Sequence, residues 1–529
     1  MQNQEKVGIL GYGVYIPWQR IQTETVVRSR ERRKRKKDLE ELVNKVRNGL
    51  LLREKTIVGY YEDTITMATE SAENALTMSG VDPERIGTVI AGSESKPYAV
   101  GQIARHAASF VGIGNYVFTA DIEGACNAGM QALSFVESDI KAGKAEYGLA
   151  IGSDIAQAPR GDPLEYAAGA GAGAFVLGRG GDFVATIEDI APYSSLMMDF
   201  WRREDVPVPS HLGRTTVEAY VQHVTGAIAH LLQRHDDLRI TDFDHITFHQ
   251  PSGYMPLKAC KAMSQNSLNR LESDLLGRMR LTEEDIEKRV KPWLRVLNTG
   301  NTYAASTPIA VASILDKSKP GDNILAVSYG SGAYANATWI KAQEGIKRKV
   351  GLVPTVDDYV GRKREITLKS YNDHLMERMA RIGKKIIPEK ILGKIDGLEG
   401  ELSQSQCTGC RKIYYPPREK CLNLECKGEM EVKRYPKKAR LKSFVYYSKD
   451  MLLKPKFKRL LEILVLSIPD AYYNDQVLIV DATPESLRIG DHFRAKTSVL
   501  DRGGRSGLIT YGIAYAPDIW EKKVANLPV

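Results

Sequence analysis

Three side chains in the first half of the chain have types suited to acyl chemistry: Cys126, Glu94 and His249. Cys126 lies in Asp121-Ile122-Glu123-Gly124-Ala125-Cys126-Asn127-Ala128-Gly129-Met130, a small polar stretch that runs into an apolar helical pattern. A thiol at a helix start meets free N–H groups and the positive dipole end, which favour the nucleophilic thiolate. A thiolate can take an acyl group from a thioester and divide carbon–carbon bond formation into two easier steps. Glu94 follows the apolar run 88–92, where a carboxylate can remove the weakly acidic α-proton of an acyl group. His249, in Phe248-His249-Gln250-Pro251, can give a hydrogen bond or proton to a developing oxyanion or a departing thiolate. Each residue alone reads as readily as structure: a cysteine filling a helix–sheet gap, a solvated glutamate, a hydrogen-bonded histidine. Only the combination points to thioester chemistry.

The elements that must position them alternate strand and helix over the first 340 residues. Strands are expected at 7–12, 88–92, 147–151, 173–177, 183–187, 245–248 and 323–327, with helices at 64–78, 130–141, 217–234 and 304–315. Apolar strands between helices imply sheets covered on both faces. Two successive halves, 1–180 and 181–340, each end in a Gly-rich strand turn, which suggests a duplicated α/β unit. Active residues of such sheets gather at strand ends, where Glu94, His249 and Ser331 fall.

Composition sets the outer bounds. The 529 residues are 43% hydrophobic and 26% charged, ordinary globular material for about two to four domains. No apolar run reaches the ~18 residues of a membrane span, and the start lacks a secretion signal, so a cytoplasmic protein is expected. Much of the net charge of +9 sits in Arg28-Ser29-Arg30-Glu31-Arg32-Arg33-Lys34-Arg35-Lys36-Lys37. That run reads as a solvated helix start or as a cationic rim for a phosphorylated ligand. No aromatic platform accompanies it, so nucleic acid is not expected as a partner.

The residues also resemble a family. Gly11-Tyr12-Gly13-Val14-Tyr15-Ile16-Pro17, Gly92-Ser93-Glu94-Ser95-Lys96-Pro97-Tyr98-Ala99-Val100, Asp199-Phe200-Trp201-Arg202-Arg203-Glu204, Phe248-His249-Gln250-Pro251 and Gly300-Asn301-Thr302-Tyr303 resemble archaeal-type hydroxymethylglutaryl-CoA synthase. That family belongs to the thiolase-like condensing superfamily, and the likeness covers residues 5–340 in order. It implies a five-layer αβαβα thiolase-like fold, coenzyme A as part of the substrates, and a homodimer or larger assembly. It also implies that Cys126 carries the acetyl group, Glu94 is the general acid/base and His249 assists the acetoacetyl substrate.

By the same resemblance Thr216, Asn301 and Ser331 match substrate-contacting positions, and Lys258 stands where the family has an arginine. Tyr254 replaces a lysine used for CoA, and Ala167 replaces a hydroxyl residue that touches substrate. The loop near Glu31 to Arg33 is another CoA-facing segment, and Arg32, Arg33 or Lys34 can supply the missing phosphate partner. The segment between Met263 and Val296 is longer than the family leads one to expect. These departures bear on the acceptor more than on the mechanism. A thiolase-superfamily acyltransferase with another acceptor therefore stands beside the synthase, as does a non-catalytic scaffold that channels acyl-CoA.

Residues 341–400 read as a charged helical connector without an obvious core. Cys407-x2-Cys410, ten residues, then Cys421-x4-Cys426 is a candidate four-thiolate zinc site, since tetrahedral Zn²⁺ takes two such pairs. A zinc ribbon is expected at 401–436 and an OB-type β-barrel at 437–529, with short strands at 441–447, 460–468, 477–480, 492–499 and 508–515. The segment resembles the zinc-ribbon/OB-fold proteins that accompany thiolase-like enzymes, which implies an acyl-CoA-bridging role and an acetoacetyl-CoA thiolase as partner.

Overall fold

The computed structural model describes residues 6–203, 206–265, 273–379, 403–414, 419–423, 425–434, 437–441, 463–465, 476–501 and 509–518. The chain divides into two compact units, one of residues 1–59 and 63–379, the other of 60–62 and 380–529.

The first unit begins with β1 (Val7–Tyr15), β2 (Gln19–Gln22), α1 (Thr23–Arg30), α2 (Lys36–Asn44), β3 (Glu54–Ile57), α3 (Thr64–Ser79), β4 (Ile86–Gly92) and α4 (Ile103–Val111). It continues through β5 (Phe118–Ile122), α5 (Ala128–Lys141), β6 (Tyr147–Ile155), α6 (Pro163–Ala167) and β7 (Ala170–Arg179). The second half holds β8 (Ala185–Met197), β9 (Phe200–Trp201), β10 (Ser210–His211), α7 (Gly213–Gln233), β11 (His245–Phe248) and α8 (Tyr254–Ser264). After these come α9 (Ser273–Arg278), α10 (Glu283–Asp285), α11 (Val296–Thr299), α12 (Ser306–Leu315), β12 (Asn323–Gly330) and β13 (Gly332–Ala342). The unit closes with α13 (Ile346–Lys349), α14 (Val356–Gly361), β14 (Arg364–Glu365) and α15 (Leu368–Met379).

Nine strands form one sheet in the order β11-β12-β13-β8-β1-β7-β6-β4-β5. The duplication is written in its ladders. In the first half β4 and β6 are parallel, then β6–β7 and β7–β1 are antiparallel. In the second half β11 and β12 are parallel, then β12–β13 and β13–β8 are antiparallel. The halves meet at β1 and β8 through a short pairing, Gly8 with Thr186 and Ile9 with Ala185. Strand β5 adds a parallel edge beyond β4. The β6 segment Tyr147–Ile155 and the α12 helix are almost wholly buried, as expected for apolar elements enclosed between layers.

Small residues permit the close approaches at the centre. A Cβ at Gly92 would lie 2.2 Å from the Ala128 carbonyl, so only glycine lets the start of α5 sit against the end of β4. A Cβ at Gly129 would lie 2.2 Å from the Ala304 oxygen, where the two halves touch. The two central helices also begin alike. Each follows a 3₁₀ turn, Ala125–Asn127 before α5 and Tyr303–Ala305 before α12. Each turn opens on a non-glycine residue with positive φ, 44° at Ala125 and 47° at Tyr303. Backbone held there is strained and persists only where the surroundings over-determine it.

The charged stretch after β13 is not coreless as expected. Ile346, Val353, Val356 and Tyr359 are buried in the main hydrophobic core, and Tyr371 is buried beside Val26, Val27 and Tyr166. Its polar composition hid aromatic anchors that docking against the first unit buries. The remainder of the expected connector, 380–400, lies outside the described residues, as do 266–272 of the long segment before Val296.

In the second unit β15 (Ser403–Cys407), β16 (Ile413–Tyr414) and β17 (Met430–Arg434) form a three-stranded antiparallel sheet. Strands β18 (Lys438–Arg440), β21 (His492–Asp501) and β22 (Thr510–Pro517) form another, and β19 (Ile463–Val465) pairs with β20 (Gln476–Leu478). Ala439, Leu441, Ile479, Leu487, Phe493 and Tyr515 make a small core. Most of the strands expected at 441–447 and 460–468 falls outside the described residues.

Candidate active site

Cys126 sits in the strained turn ahead of α5, is 7% exposed, and packs with Ala156 and Tyr303, flanked by Ala168 and Phe200. Its Sγ donates to Glu94 Oε1 across 3.1 Å. Glu94 comes from the loop two residues past β4, so the parallel β4–β6 ladder and the start of α5 bring nucleophile and carboxyl together.

Asp154, fully buried on β6, holds this arrangement from behind. Its Oδ1 accepts from Ser93 Oγ at 2.8 Å, Ser95 Oγ at 2.6 Å and Glu94 N at 3.0 Å. Its Oδ2 accepts from Ala304 N at 2.9 Å, which ties the Glu94 loop to the equivalent turn of the second half. Asp199, also buried, collects Tyr329 Oη at 3.0 Å, Ser331 Oγ at 3.1 Å and Gly332 N at 3.1 Å.

Electrostatics correct one expectation. The Cys126 thiol is pushed well up, first by burial and then by Glu94, Asp154 and Asp199. Burial, with the neighbouring carboxyl groups added to it, opposes the partial charge of the helix start and favours the thiol over the thiolate expected from the sequence. Burial, with Asp154 adding to it, pushes Glu94 up to about 8. Both partners therefore carry protons in the resting site near neutral pH. His249 is pushed down to about 3 by burial, so its imidazole is neutral.

Ser331, Thr216 and Asn301 join this region through named contacts. Thr216 Oγ1 donates to the Asp199 carbonyl at 3.1 Å. Asn301 Oδ1 accepts from Tyr303 N at 2.9 Å, leaving its amide NH₂ as a donor, and its backbone N donates to Ala167 O at 2.6 Å. His249 follows β11, and its side chain makes no hydrogen bond with Glu94 or Cys126. Its Nδ1 is buried without a partner among the described residues. Lys258 and Tyr254 are exposed on one face of α8, four residues apart.

The basic run divides. Arg28 pairs with Glu24 and Glu40, Lys34 with Glu31, Arg35 with Asp38, and Arg30 is buried against Glu165. Arg32 and Arg33 lie exposed on the turn between α1 and α2 and make no ion pair among the described residues. Sequence reasoning did not single out Asp154, Tyr303 or the carboxylate of Asp199. Asp154 is one polar residue in an apolar strand, which is the signal that marks it.

In the second unit Cys407, Cys410, Cys421 and Cys426 bring their Sγ atoms within 4.8 Å of one another. The nearest pairs, Cys407–Cys426 at 3.4 Å and Cys410–Cys421 at 3.5 Å, are too far apart for disulfides. Gly428 N donates to Cys426 Sγ at 3.5 Å, and a Cβ at Gly428 would lie 2.3 Å from Gly409 N.

Comparison with known proteins adds to this geometry. The family description "Thiolase, N-terminal domain" matches residues 59–174. The hydroxymethylglutaryl-CoA synthase of Methanothermobacter thermautotrophicus is 38% identical over 365 residues, 69% of this chain and 96% of the relative. That of Pyrococcus furiosus is 38% identical over 373 residues, 70% of this chain and 96% of the relative. The fold is shared with a synthase complexed with CoA, at TM-score 0.59 and 24% identity, over 70% of this chain and 90% of that one. It is shared too with the curacin-pathway synthase in complex with an acetyl donor carrier protein, at TM-score 0.61 and 20% identity, over 73% and 93%. With these relatives covered almost end to end at 38% identity, the chain belongs to the hydroxymethylglutaryl-CoA synthase family.

Proposed function

We propose that the protein condenses acetyl-CoA with acetoacetyl-CoA and water, giving hydroxymethylglutaryl-CoA and free CoA. The observation that carries this reading is the Cys126–Glu94 contact at 3.1 Å beside the packed side chains of Ala156 and Tyr303. Cys126 attacks the acetyl thioester, and the thiol proton leaves with the CoA sulfur, so one thioester replaces another. Glu94 first releases its resting proton to solvent, and the carboxylate then removes a proton from the acetyl methyl group. The resulting enolate adds to the ketone of acetoacetyl-CoA, whose oxygen takes up that proton. Water cleaves the Cys126 thioester, releasing the carboxylate product and restoring the thiol. His249, kept neutral by burial, serves as a hydrogen-bond donor to the acetoacetyl group rather than as a charged acid. Asn301 offers its amide NH₂ to a thioester carbonyl. Thr216 and Ser331 shape the acceptor side through Asp199.

The CoA phosphates lie, in this reading, against Arg32 and Arg33, with Lys258 on α8 as a further cation. The two guanidinium groups on an exposed turn support this, because among the described residues they lack the carboxylate partners that Arg28, Lys34 and Arg35 have. Ala167 favours a second reading of the acceptor, since a methyl group where the family has a hydroxyl makes the pocket less polar. Mass spectrometry of Cys126 after incubation with a panel of acyl-CoAs tests both. Acetyl transfer followed by condensation with acetoacetyl-CoA supports the synthase, acylation by other chains with no such product supports the alternative, and no acylation at all leaves the scaffold.

Residues 401–436 form a zinc ribbon and 437–529 an OB-type domain in this proposal. The convergence of four thiols, an N–H donor on Cys426 Sγ and the obligatory glycine at 428 fit a tetrahedral Zn²⁺, whose sulfurs stand about 3.8 Å apart. The metal's contribution is structural: it clamps a segment too small to hold its own core. The edge strand β5 and exposed Phe118 and Phe135 support a homodimer formed on that edge. Six cysteines without a disulfide favour a reducing compartment. The second unit would serve as a bridge for acyl-CoA, with a thiolase that makes acetoacetyl-CoA as its partner; full activity after deletion of 401–529 would argue against that.

A further inference from the structure

Behind α6 lies a buried ionic cluster that the reaction itself does not use. Glu165, 2% exposed, accepts from Arg30 Nη2 at 2.7 Å and Nε at 2.9 Å, from Tyr371 Oη at 3.0 Å and from Gly161 N at 2.7 Å. Arg30 reaches Asn372 Oδ1 at 2.9 Å as well. Lys55, fully enclosed, donates to Tyr371 Oη at 2.9 Å and to the Glu165 backbone carbonyl. A carboxylate with four donors out of water is held rigidly, and so are the segments that bring the donors.

Those segments lead in two directions. Arg30 is the last residue of α1, two positions before Arg32 on the exposed cationic turn. Glu165 lies in α6, two positions before Ala167, whose carbonyl accepts from Asn301 N at 2.6 Å. Gly169 N returns a hydrogen bond to Asn301 O at 2.9 Å, and Ala168 packs at the Cys126 cluster. Lys55 also backs the Asn301 turn, since a Cβ at Gly300 would lie 3.0 Å from Lys55 Cβ and 2.5 Å from Ala167 O. One buried carboxylate is thus the shared fixture of the cationic turn and the wall of the acyl pocket.

We propose that Glu165 is a positioning residue that sets the span between the CoA phosphate clamp and the thioester end of the substrate. This rests on the reading of Arg32 and Arg33 as that clamp. Binding of the phosphates then aligns the thioester at Cys126 only while the Glu165–Arg30 pair is intact. The pair should matter for full-length CoA thioesters and little for truncated ones, because a short thioester does not reach both ends.

The test is a double-mutant cycle on the full chain, reading kcat and KM for Cys126 acetylation with acetyl-CoA and with acetyl-N-acetylcysteamine. Arg32→Ala combined with Arg33→Ala should raise KM for acetyl-CoA about tenfold and leave the truncated thioester unchanged. Glu165→Gln should act in the same direction, and the combined variant should fall short of the product of the two effects by about fivefold or more. Tyr371→Phe, which removes one donor and leaves the charges in place, should give a smaller shift of the same kind if Glu165→Gln folds poorly. If the arginine variant leaves KM unchanged, the clamp reading fails and takes the coupling with it. If the arginine variant shifts KM but the two effects multiply, or if Glu165→Gln and Tyr371→Phe slow the truncated thioester as much as acetyl-CoA, the coupling alone is overturned.

Discussion

The thiol of Cys126 and the carboxyl of Glu94 hold each other across 3.1 Å, the thiol donating to Oε1. Neither is in its reactive protonation state at rest. Glu94 is pushed up to about 8 and Cys126 higher still, both chiefly by burial.

Replacing the two partners should separate the two steps. Cys126→Ser should abolish acetyl-enzyme formation, read as the mass shift of the Cys126 peptide. Glu94→Ala should still take up the acetyl group but lose about 10²–10⁴-fold in condensation. Normal condensation by Cys126→Ser would sink the mechanism.

Stability should carry the mark of Glu94 across pH. Folding raises its pKa from 4.5 to about 8, so the folded chain binds this proton more tightly than the unfolded one. The resulting stabilisation is complete below about 4.5 and is lost as pH rises through about 8. His249 acts at the other end: its pKa falls from 6.5 to about 3, so its contribution is present above 6.5 and is lost as pH falls toward 3. In thermal melts Glu94→Gln should flatten the alkaline fall and His249→Gln the acid fall. Unchanged slopes would show that neither group is enclosed as described.

Asp154 should prove inseparable from both stability and rate. It accepts four hydrogen bonds from two segments, and no neutral residue of its size can accept them all. Asp154→Asn must turn an NH₂ toward an N–H or hydroxyl donor, which should cost about 2 kcal/mol or more in denaturant unfolding. Condensation should fall with it by about tenfold or more, because the Glu94 loop loses its anchor. A variant with native stability and native rate would show that the loop is held by other means.

Metal analysis should find about one zinc per chain, with loss in Cys421→Ser and in Cys407→Ser alike. Chelation should lower the melting transition of the second unit. A chain purified from zinc-supplemented medium without bound metal would remove the ribbon from the proposal.

How much of this could be read from the residues follows from which interactions are local. Strand 245–248 and the helix at α5 were legible because apolar period and turn residues are local signals. Cys126 and Glu94 were legible through chemical type at element ends. The raised pKa of Cys126 was not, since it depends first on burial and then on Glu94, Asp154 and Asp199, which only the fold brings to it. The basic run was half legible: Glu40 pairs with Arg28 nearby in sequence, but Glu165, 135 positions from Arg30, is found only through the fold. The tyrosines at 359 and 371 were hidden for the same reason, as single aromatics in charged surroundings whose partners lie elsewhere.

The matched turns before α5 and α12 carry one more consequence. Backbone symmetry places Ala304 where its counterpart offers Cys126, and the Ala304 N–H is spent on Asp154. The two halves therefore divide labour: one supplies the sulfur, and the other gives up any chemistry of its own to become the brace. A chain with a twofold backbone thus has, among the described residues, one braced thiol–carboxyl pair, at the seam. Neither half, produced alone, would contain a complete one.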